Sequence, residues 1–421
     1  MNKIQHFRDL RYGLFIHFGL YSMLGGYYEG KETPFLAEWI RHSLHVPDAV
    51  YRKLAESFDP VNFDADAICL FARENGMRYL CFTAKHHDGF ALFDSKADAF
   101  NSVKKSPQKR DFVRELAISA KKHGLDFCLY YSQAQDWDHP GGKRAYDTQP
   151  DTSLFEAYLT HKCLPQIEEL LTQYGPITML WLDTPIDMTK KESQRITELV
   201  RRLQPDCLIS GRVGHGLGDY MTTGDNRMPK GAQDRLWEMP ASLYTSWGYK
   251  DNDRPLVSHR ELLRLLTKAV GRGGNLLVNV GPDGAGNIPD EALFILQEAG
   301  HFLRVYHEAF DAPLTVPDYP YEQDDFLFSA SPSKLFIHLL RWPDDQLIEL
   351  YHVESQVTEA MELQSKTKLE LLTGRDLEGH AYMKIRLDRC ESEIQYAIDR
   401  FGQAVLALTL TEPSVSISNL A

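Results

Sequence analysis

The sequence predicts an α/β protein in which a (β/α)8-like barrel is followed by a small C-terminal antiparallel β-sandwich. Strand-like and helix-like segments alternate through the first three quarters of the 421 residues, as in a barrel of usual size. After residue 326 the apolar residues recur with a period of about two, which is typical of antiparallel strands. We therefore assign residues 1–312 to the barrel and residues 313–421 to the sandwich. A doubly wound open sheet is the competing architecture, but no G-x-G-x-x-G turn follows the first strand.

The elements of the first domain follow from apolar runs and helix boundary signals. Asp64 and Asp111 are of the type that caps a helix, and Gly124 and Gly175 are of the type that ends one. The predicted strands cover residues 13–18, 79–83, 126–131, 177–182, 207–210, 219–222 and 275–280. The predicted helices cover residues 64–74, 111–123, 154–174, 192–203, 260–270 and 290–308.

The second domain is predicted from alternating apolar and polar residues separated by turn-like polar segments. Such alternation indicates strands that bury one face. The composition changes near Ala312-Pro313, where we place the domain boundary. The predicted strands cover residues 334–339, 347–351, 381–385 and 404–408.

The overall charge excludes several kinds of partner. With 46 Lys and Arg against 59 Asp and Glu, the net charge is -13, which argues against binding to nucleic acid or to anionic membranes. No apolar stretch is long enough to span a bilayer. The N-terminus lacks the apolar region of a signal peptide, and the six cysteines contain no C-x-x-C pair. We therefore expect a cytoplasmic protein with reduced thiols.

Polar residues stand at the ends of several predicted strands. His17 ends the first strand, His86 and His87 follow the second, Tyr131 ends the third and Asp183 ends the fourth. Arg212 follows the fifth strand. The carboxyl ends of barrel strands converge on one face, so these side chains are expected to form one site.

Two carboxyl groups fit the cleavage of a glycosidic bond. Asp183 follows six apolar or weakly polar residues, and a carboxylate there needs a partner. Glycoside cleavage with retention uses one carboxylate as nucleophile and a second carboxyl group as acid and base. Asp183 fits the first role. Glu238 is a candidate for the second, because its apolar neighbours could raise its pKa.

A series of motifs resembles that of the α-L-fucosidases, glycoside hydrolase family 29. The motifs occur in the family's order and cover about residues 8 to 310. They are Gly13-Leu14-Phe15-Ile16-His17-Phe18-Gly19, Glu38-Trp39, Lys85-His86-His87-Asp88-Gly89-Phe90, Tyr130-Tyr131-Ser132, Leu180-Trp181-Leu182-Asp183, Ser246-Trp247-Gly248-Tyr249 and Asn275-Leu276-Leu277-Val278-Asn279-Val280-Gly281-Pro282.

The resemblance implies a retaining exo-glycosidase that acts on fucosylated oligosaccharides or glycoconjugates without a cofactor or metal. It implies that Asp183 is the nucleophile that forms a fucosyl-enzyme. The sugar would be bound by His17, Glu38, Trp39, His86, His87, Tyr131, Arg212 and Trp247. Histidines and a glutamate suit hydroxyl groups, and tryptophan suits the apolar face around the methyl group of fucose.

The position of the acid/base departs from the family pattern. In some members this residue lies at a position like residues 225–227, and many have a glutamate where this chain has Arg227. An arginine cannot protonate a leaving oxygen. The sequence therefore favours Glu238 as the acid/base, with Glu38 as a second candidate.

Two other functions stay open at this point. A metal-dependent barrel hydrolase would use His17, His86, His87 and Asp183 as ligands, although the first strand carries no His-x-His. A fucose-binding protein with weakened catalysis would be consistent with Arg227. The linkage that is cleaved would depend on the loops at residues 25–31 and 140–152, and the protein could be a homo-oligomer.

Overall fold

The described residues of the first domain form eight parallel strands made of short apolar runs. The computed structural model describes residues 3–144, 153–231, 233–311, 314–317, 325–413 and 415–417. The strands are β1 (Tyr12–Ile16), β2 (Tyr79–Lys85), β3 (Asp126–Ser132), β4 (Met179–Asp183), β5 (Leu208–Ile209), β6 (Met221–Thr222), β7 (Trp237–Ser242) and β8 (Asn275–Val280).

These strands close into a barrel. Their hydrogen-bonded order is β5-β4-β3-β2-β1-β8-β7-β6, so strands that follow one another in the chain are neighbours. The two end strands are joined by a parallel bridge between Ser210 and Tyr220. The amide of Asp219 also donates to the carbonyl of Ile209 at 2.8 Å. The prediction of a (β/α)8-like barrel is confirmed.

Alternate residues of each strand face opposite sides of the barrel wall, as strand geometry requires. Phe15, Tyr130 and Trp181 belong to an apolar cluster inside the barrel. Leu14 and Tyr131 belong instead to the larger cluster that includes the surrounding helices. This alternation decides which side chains reach the barrel mouth.

Helices surround the barrel. The longer ones are α1 (Lys3–Leu10), α2 (Asp48–Leu54), α3 (Ala65–Glu74), α4 (Phe112–His123), α5 (Leu164–Gln173), α6 (Lys190–Leu203), α7 (His259–Gly271) and α8 (Asp290–Val305). Shorter helical segments are Tyr21–Leu24, Ala37–Trp39, Ile40–Ser43, Ala55–Ser57, Ser102–Lys105, Phe155–Tyr158, Gly211–Val213 and His307–Ala309. Tyr27–Tyr28 and Lys31–Glu32 form a two-stranded hairpin.

The predicted helix boundaries are confirmed where a capping residue marks them. The Asp64 side chain accepts from two amides at the start of α3, and the Asp111 side chain accepts from the amide of Arg114 in α4. Gly124 ends α4 with a φ of 68°, in the left-handed region that favours glycine.

The long helix predicted over residues 154–174 is interrupted. Its first part, Phe155–Tyr158, leads into a π-helical turn at Leu159–Cys163 before α5 begins. Pro165 lies at the start of α5. A proline has no N–H to donate to the preceding turn and its ring clashes with the carbonyl four residues earlier, which accounts for the irregular turn.

Strand β7 is absent from the sequence prediction. Its run, Trp237–Ser242, contains Pro240, and a proline within a run counts against a strand because it lacks an N–H. The strand nevertheless pairs in parallel with β8, with Glu238 opposite Asn275. Glu238 is therefore the second residue of a buried strand and lies toward its amino end.

The C-terminal domain is antiparallel, as predicted. Its strands are β9 (Phe326–Ser331), β10 (Lys334–Leu339), β11 (Leu347–Tyr351), β12 (Val357–Glu362), β13 (Lys368–Arg375), β14 (Ala381–Arg386) and β15 (Ala404–Leu410). Their order is β9-β10-β15-β12-β13-β14-β11. A short 3-10 turn, Asp388–Cys390, precedes helix α9 (Glu391–Phe401), which the strand-period prediction did not include.

The two domains contact each other through α7, α8 and α9. The His259 ring contacts the carbonyl of Arg400 at 2.7 Å, and Arg400 forms an ion pair with Glu298 at 3.0 Å. The proposed boundary at residues 312–313 lies outside the described residues. None of the helices in the described part of the chain is long and apolar enough to cross a membrane.

Candidate active site

A cavity of about 460 Å³ opens at the carboxyl end of the barrel strands, within the usual size range for small-ligand pockets. We call it the cleft. It is lined by Phe15, His17, Phe35, Leu36, Glu38, Trp39, His86, His87, Tyr130, Trp181, Asp183, Thr184, Ile186, Arg212, Asp225 and Trp247. The structure therefore brings together eight of the ten predicted site residues. Tyr131 and Glu238 are not among the lining residues.

Asp183 is the last residue of β4 and is 8 % exposed. Its Oδ1 accepts from Arg212 and from the amide of Thr184, both at 2.9 Å. Its Oδ2 accepts from the hydroxyl of Tyr130 at 2.9 Å. Each oxygen is therefore fixed, and Oδ2 has one protein donor fewer than Oδ1.

The backbone after Asp183 is strained. Thr184 has a φ of 44°, a conformation that is unfavourable for a β-branched residue. In this conformation its amide donates back to the Asp183 carboxylate. Such strain persists only where the surrounding structure imposes it, and it occurs often at functional sites.

Arg212 connects two carboxylates at the mouth of the cleft. One nitrogen, Nη1, donates to Asp183, and the other, Nη2, donates to Asp225. The guanidinium lies over the ring of Trp181, with its carbon 4.7 Å from the ring centroid. The Asp225 side chain is 46 % exposed. The two carboxylates are thus separated only by one guanidinium group, and Asp225 is the one nearer to solvent.

The histidines of the cleft are neutral hydrogen-bonding groups. Burial lowers the pKa of His17 to about 4 and lowers the pKa of His87 well below its usual value. The Asn279 amide donates to the carbonyl of Trp247 at 2.8 Å, so its oxygen faces His17 Nδ1 at 2.6 Å. The hydrogen-bond network therefore assigns the proton of His17 to Nδ1, which leaves Nε2 as an acceptor.

The same reasoning fixes the tautomer of His87. The hydroxyl of Ser132 donates to the carbonyl of Gln135 at 2.8 Å, so it accepts from His87 Nδ1 at 2.6 Å. His87 Nε2 is then an acceptor and lies 3.6 Å from Asp183 Oδ2. Burial also lowers the pKa of His86 well below its usual value, and its ring stacks on Tyr130. These nitrogens suit the hydroxyl groups of a neutral ligand.

Glu38 and the two predicted tryptophans form another part of the wall. Glu38 is 1 % exposed, and its Oε2 accepts from the amide of Gly248 at 2.9 Å. Burial raises the pKa of Glu38 to about 7, so both of its protonation states occur near neutral pH. Trp247 packs against His17 and Trp39 packs against His87. These rings give the cleft apolar surfaces next to its acceptor nitrogens.

The side chain of Tyr131 lies outside the cleft. Its hydroxyl donates to Gln166 of helix α5 at 2.7 Å, on the outer side of the barrel wall. The preceding residue, Tyr130, points inward and contacts Asp183. Because successive side chains of a strand point to opposite faces, only one of the two tyrosines can reach the cleft.

The structure also does not support Glu238 as a residue that contacts substrate. Its side chain has no exposed surface. Its Oε1 accepts from the indole N–H of Trp181 at 2.9 Å, and its Oε2 accepts from the hydroxyl of Tyr79 at 2.6 Å. Trp181 lines the cleft and Glu238 lies behind it. Burial does raise the pKa of Glu238 to about 7, as expected from the sequence, but the group has no access to a leaving oxygen.

Four residues that contact or orient the polar groups of the site are missing from the sequence prediction. Tyr130 and Trp181 could have been found by counting alternate positions back from Asp183 along paired strands. Asn279, which orients His17, is part of the last quoted motif. Asp225 lies at the position that the family resemblance pointed to, but Arg227 directed attention away from it. Arg227 itself is exposed and is not part of the cleft lining.

The ring nitrogens bear on the alternative of a metal-dependent hydrolase. His17 and His87 each use Nδ1 on a protein acceptor. Within the described ranges, no group of three or more His, Cys, Asp or Glu side chains has the geometry of a metal site. The polar residues of the cleft are arranged as hydrogen-bonding groups beside the carboxylates of Asp183 and Asp225.

Comparisons with known proteins place the barrel in one enzyme family. The sequence model of the family "Alpha-L-fucosidase" matches residues 2–308. A putative alpha-L-fucosidase of Caenorhabditis elegans is 28 % identical over 321 residues, which cover 72 % of this chain and 65 % of the relative. The chain thus spans about two thirds of that relative's length. The plasma alpha-L-fucosidase of Homo sapiens is 26 % identical, with 82 % of this chain and 78 % of the relative covered.

Solved structures show the same fold. The alpha-L-fucosidase of Vibrio sp. strain EJY3 superposes with a TM-score of 0.88 at 30 % identity, and the match covers 99 % of this chain and 74 % of that chain. The unliganded alpha-L-fucosidase AlfC of Lactobacillus casei has a TM-score of 0.68 at 37 % identity, covering 73 % of this chain and all of that chain. The family match over most of the barrel, with the fold and the cleft, shows that this chain belongs to the alpha-L-fucosidase family of glycoside hydrolases.

Proposed function

We propose that this protein releases terminal α-L-fucose from fucosylated oligosaccharides or glycoconjugates, with retention of configuration at the anomeric carbon. The observation that carries the proposal is the pairing of Asp183 and Asp225 through Arg212 in one cleft. Retaining glycosidases place two carboxyl groups roughly 5–5.5 Å apart, on either side of the bond that breaks. A pair of carboxylates bridged by one guanidinium is compatible with that spacing.

Asp183 is the proposed nucleophile. Its Oδ1 is held by Arg212 and Thr184, and its Oδ2 accepts from Tyr130 alone among the described residues. In the first step Oδ2 bonds to the anomeric carbon while the bond to the leaving oxygen breaks and the acid/base gives that oxygen its proton. In the second step the acid/base takes a proton from water, the water oxygen attacks the same carbon and Oδ2 departs, which regenerates the carboxylate. The two inversions give net retention.

Asp225 is the proposed acid/base, in place of Glu238. An exo-acting enzyme binds the terminal sugar in its pocket, so the leaving group points to solvent. The acid must then stand at the mouth of the cleft, where the half-exposed Asp225 lies. Glu38 has the raised pKa of an acid catalyst, but it is almost fully buried and is better placed to bind a sugar hydroxyl.

The remaining cleft residues account for recognition of the sugar. The acceptor nitrogens of His17 and His87 can each receive a hydrogen bond from a hydroxyl group. Trp39 and Trp247 offer apolar faces for the methyl side of the ring. In the comparisons, one variant of AlfC was solved with 4-nitrophenyl-a-L-fucopyranoside and with Fuca(1,6)GlcNAc, which supports the same class of ligand for this chain.

The nucleophile is tested with Asp183→Gly and an activated aryl fucoside. Loss of a covalent nucleophile should reduce turnover on the order of thousands-fold or more. Azide should partly restore turnover and give a fucosyl azide of inverted configuration. Turnover of Asp183→Gly within tenfold of wild type would rule out this role.

The acid/base is tested by comparing Asp225→Ala with Glu38→Gln on leaving groups of different basicity. If Asp225 protonates the leaving oxygen, Asp225→Ala should lose far more activity on a natural disaccharide than on an activated aryl fucoside. Azide should then restore turnover with retained configuration. Glu38→Gln should lower the activity on both substrates by a similar factor. The opposite pattern would assign the role to Glu38.

A further inference from the structure

A chain of contacts runs from the barrel interior to the reacting groups. It begins at Glu238, passes through Trp181 and Arg212, and ends at Asp183 and Asp225. Only the first of these residues lies wholly behind the cleft. Nothing in the reaction described above uses its carboxyl group.

Glu238 has two buried donors to satisfy. The indole nitrogen of Trp181 can only donate a hydrogen bond, and Glu238 Oε1 accepts it at 2.9 Å. The hydroxyl of Tyr79 donates to the other oxygen at 2.6 Å. A buried donor without an acceptor is costly, so the indole orientation of Trp181 is set from behind.

The orientation of Trp181 matters because the ring supports Arg212. The guanidinium carbon lies 4.7 Å from the Trp181 ring centroid, and Tyr130 stacks on the same indole at 5.6 Å. Tyr130 also donates to Asp183. A rotation of Trp181 would therefore displace two of the groups that hold the nucleophile.

We propose that Glu238 is a positioning residue that fixes the Trp181 indole and, through it, the Arg212 and Tyr130 contacts that place Asp183 and Asp225. The inference rests on the proposed function, because it takes these two carboxylates as the reacting pair. It assigns Glu238 no contact with substrate and no proton transfer in the reaction.

Three variants separate this role from a structural one. Glu238→Met removes both acceptors at similar volume, and we expect kcat/KM to fall by about 10- to 100-fold, since small misplacements of catalytic groups have effects of this size. Glu238→Gln keeps an acceptor for the indole and can donate to the Tyr79 oxygen, so it should stay within about threefold of wild type. Tyr79→Phe is the matched control, because it removes the other hydrogen bond to Glu238. It should lower stability while leaving kcat/KM within about threefold of wild type.

The loss in Glu238→Met should be similar on an aryl fucoside and on a fucosyl disaccharide, because no proton donor is removed. It should also depend on the indole. In a Trp181→Phe background, adding Glu238→Met should lower kcat/KM by less than about threefold, because no indole N–H remains to be oriented. The Trp181 indole N–H resonance, assigned by its loss in Trp181→Phe, should shift in Glu238→Met and remain in Tyr79→Phe.

Thermal unfolding shows whether each variant is folded at the assay temperature. If Glu238→Met does not fold, Glu238→Asp takes its place, since it keeps a buried carboxyl group but shortens its reach to the indole. Equal losses in Tyr79→Phe and Glu238→Met, or additive effects in the Trp181→Phe background, would overturn the proposal. A loss in Glu238→Met that grows with leaving-group basicity would also overturn it. None of these outcomes alters the Asp183→Gly test, so the two proposals fail separately.

Discussion

The buried carboxyl of Glu238 should make folding stability depend on pH in a way that one substitution removes. Burial raises the pKa of Glu238 from its ordinary 4.5 to about 7, although its hydrogen bonds from Tyr79 and Trp181 act in the opposite direction. The folded protein therefore holds this proton more tightly than the unfolded chain does. The stabilising contribution is full below pH 4.5 and is lost as the pH rises through 7.

The magnitude follows from the size of the shift. A shift from 4.5 to about 7 corresponds to about 3 kcal/mol, at about 1.4 kcal/mol per pKa unit. Most of this should be lost between pH 5 and pH 8. Glu238→Gln resembles the protonated form at every pH and lacks this dependence. It should therefore be more stable than wild type at pH 8 and similar to it at pH 5.

Urea unfolding at pH 5 and pH 8 measures the difference in free energy of unfolding between Glu238→Gln and wild type. Other groups such as His17 titrate equally in both proteins, so they do not contribute to this difference. Glu56→Gln serves as the control, since that side chain is exposed and the pH dependence of its stability should run parallel to that of wild type. If Glu238→Gln also runs parallel to wild type, the carboxyl does not change its proton affinity on folding, and the reasoning is wrong.

Three further predictions concern the cleft. Tyr130→Phe should lower kcat on an aryl fucoside by about tenfold because Asp183 loses a hydrogen-bond donor, whereas Tyr131→Phe should keep kcat near wild type. Equal losses of steady-state rate in the two variants would contradict the inward placement of Tyr130. Phe35 is 48 % exposed at the rim of the cleft and is expected to contact the leaving sugar. Phe35→Ala should therefore raise KM for a fucosyl disaccharide by about 3- to 10-fold and leave turnover of fucosyl fluoride unchanged, and a similar change on both substrates would refute this contact. Activity should persist after treatment with a strong chelator, because two carboxyl groups and water suffice for the reaction, and a loss that zinc or manganese reverses would contradict that mechanism.

The barrel was predictable because its signals are local. Apolar runs marked most of its strands, and capping residues such as Asp64 and Asp111 marked helix starts within one residue. Strand β7 escaped because Pro240 interrupts its pattern. In the barrel this segment is held as a strand by pairing with β8, and the local sequence pattern does not contain that pairing.

The sequence predicted which strand ends carry site residues, but it did not predict which side chains face the barrel interior. Asp183 ends an apolar strand and was identified directly, whereas the choice between Tyr130 and Tyr131 depends on which alternate residues face the barrel interior. Glu238 was misplaced for a related reason, because its position along β7 was unknown. The family resemblance pointed to residues 225–227, but no local pattern showed that Asp225 would contact Arg212 in the cleft, because that pairing joins two separate loops.

The barrel is closed through its two shortest strands, β5 and β6, each of two residues. Arg212 lies just after β5 in the chain and Asp225 lies just after β6, and the two side chains form a hydrogen bond. Arg212 also donates to the carbonyl of Thr223 at 3.4 Å. The contacts between Arg212 and the two carboxylates therefore also bridge the part of the barrel with its shortest strand pairing. Local opening should be easiest there, so amide exchange around residues 208–223 should quicken in Arg212 variants. An Arg212 substitution consequently changes both charge and local closure, and hydrogen exchange is needed to separate the two.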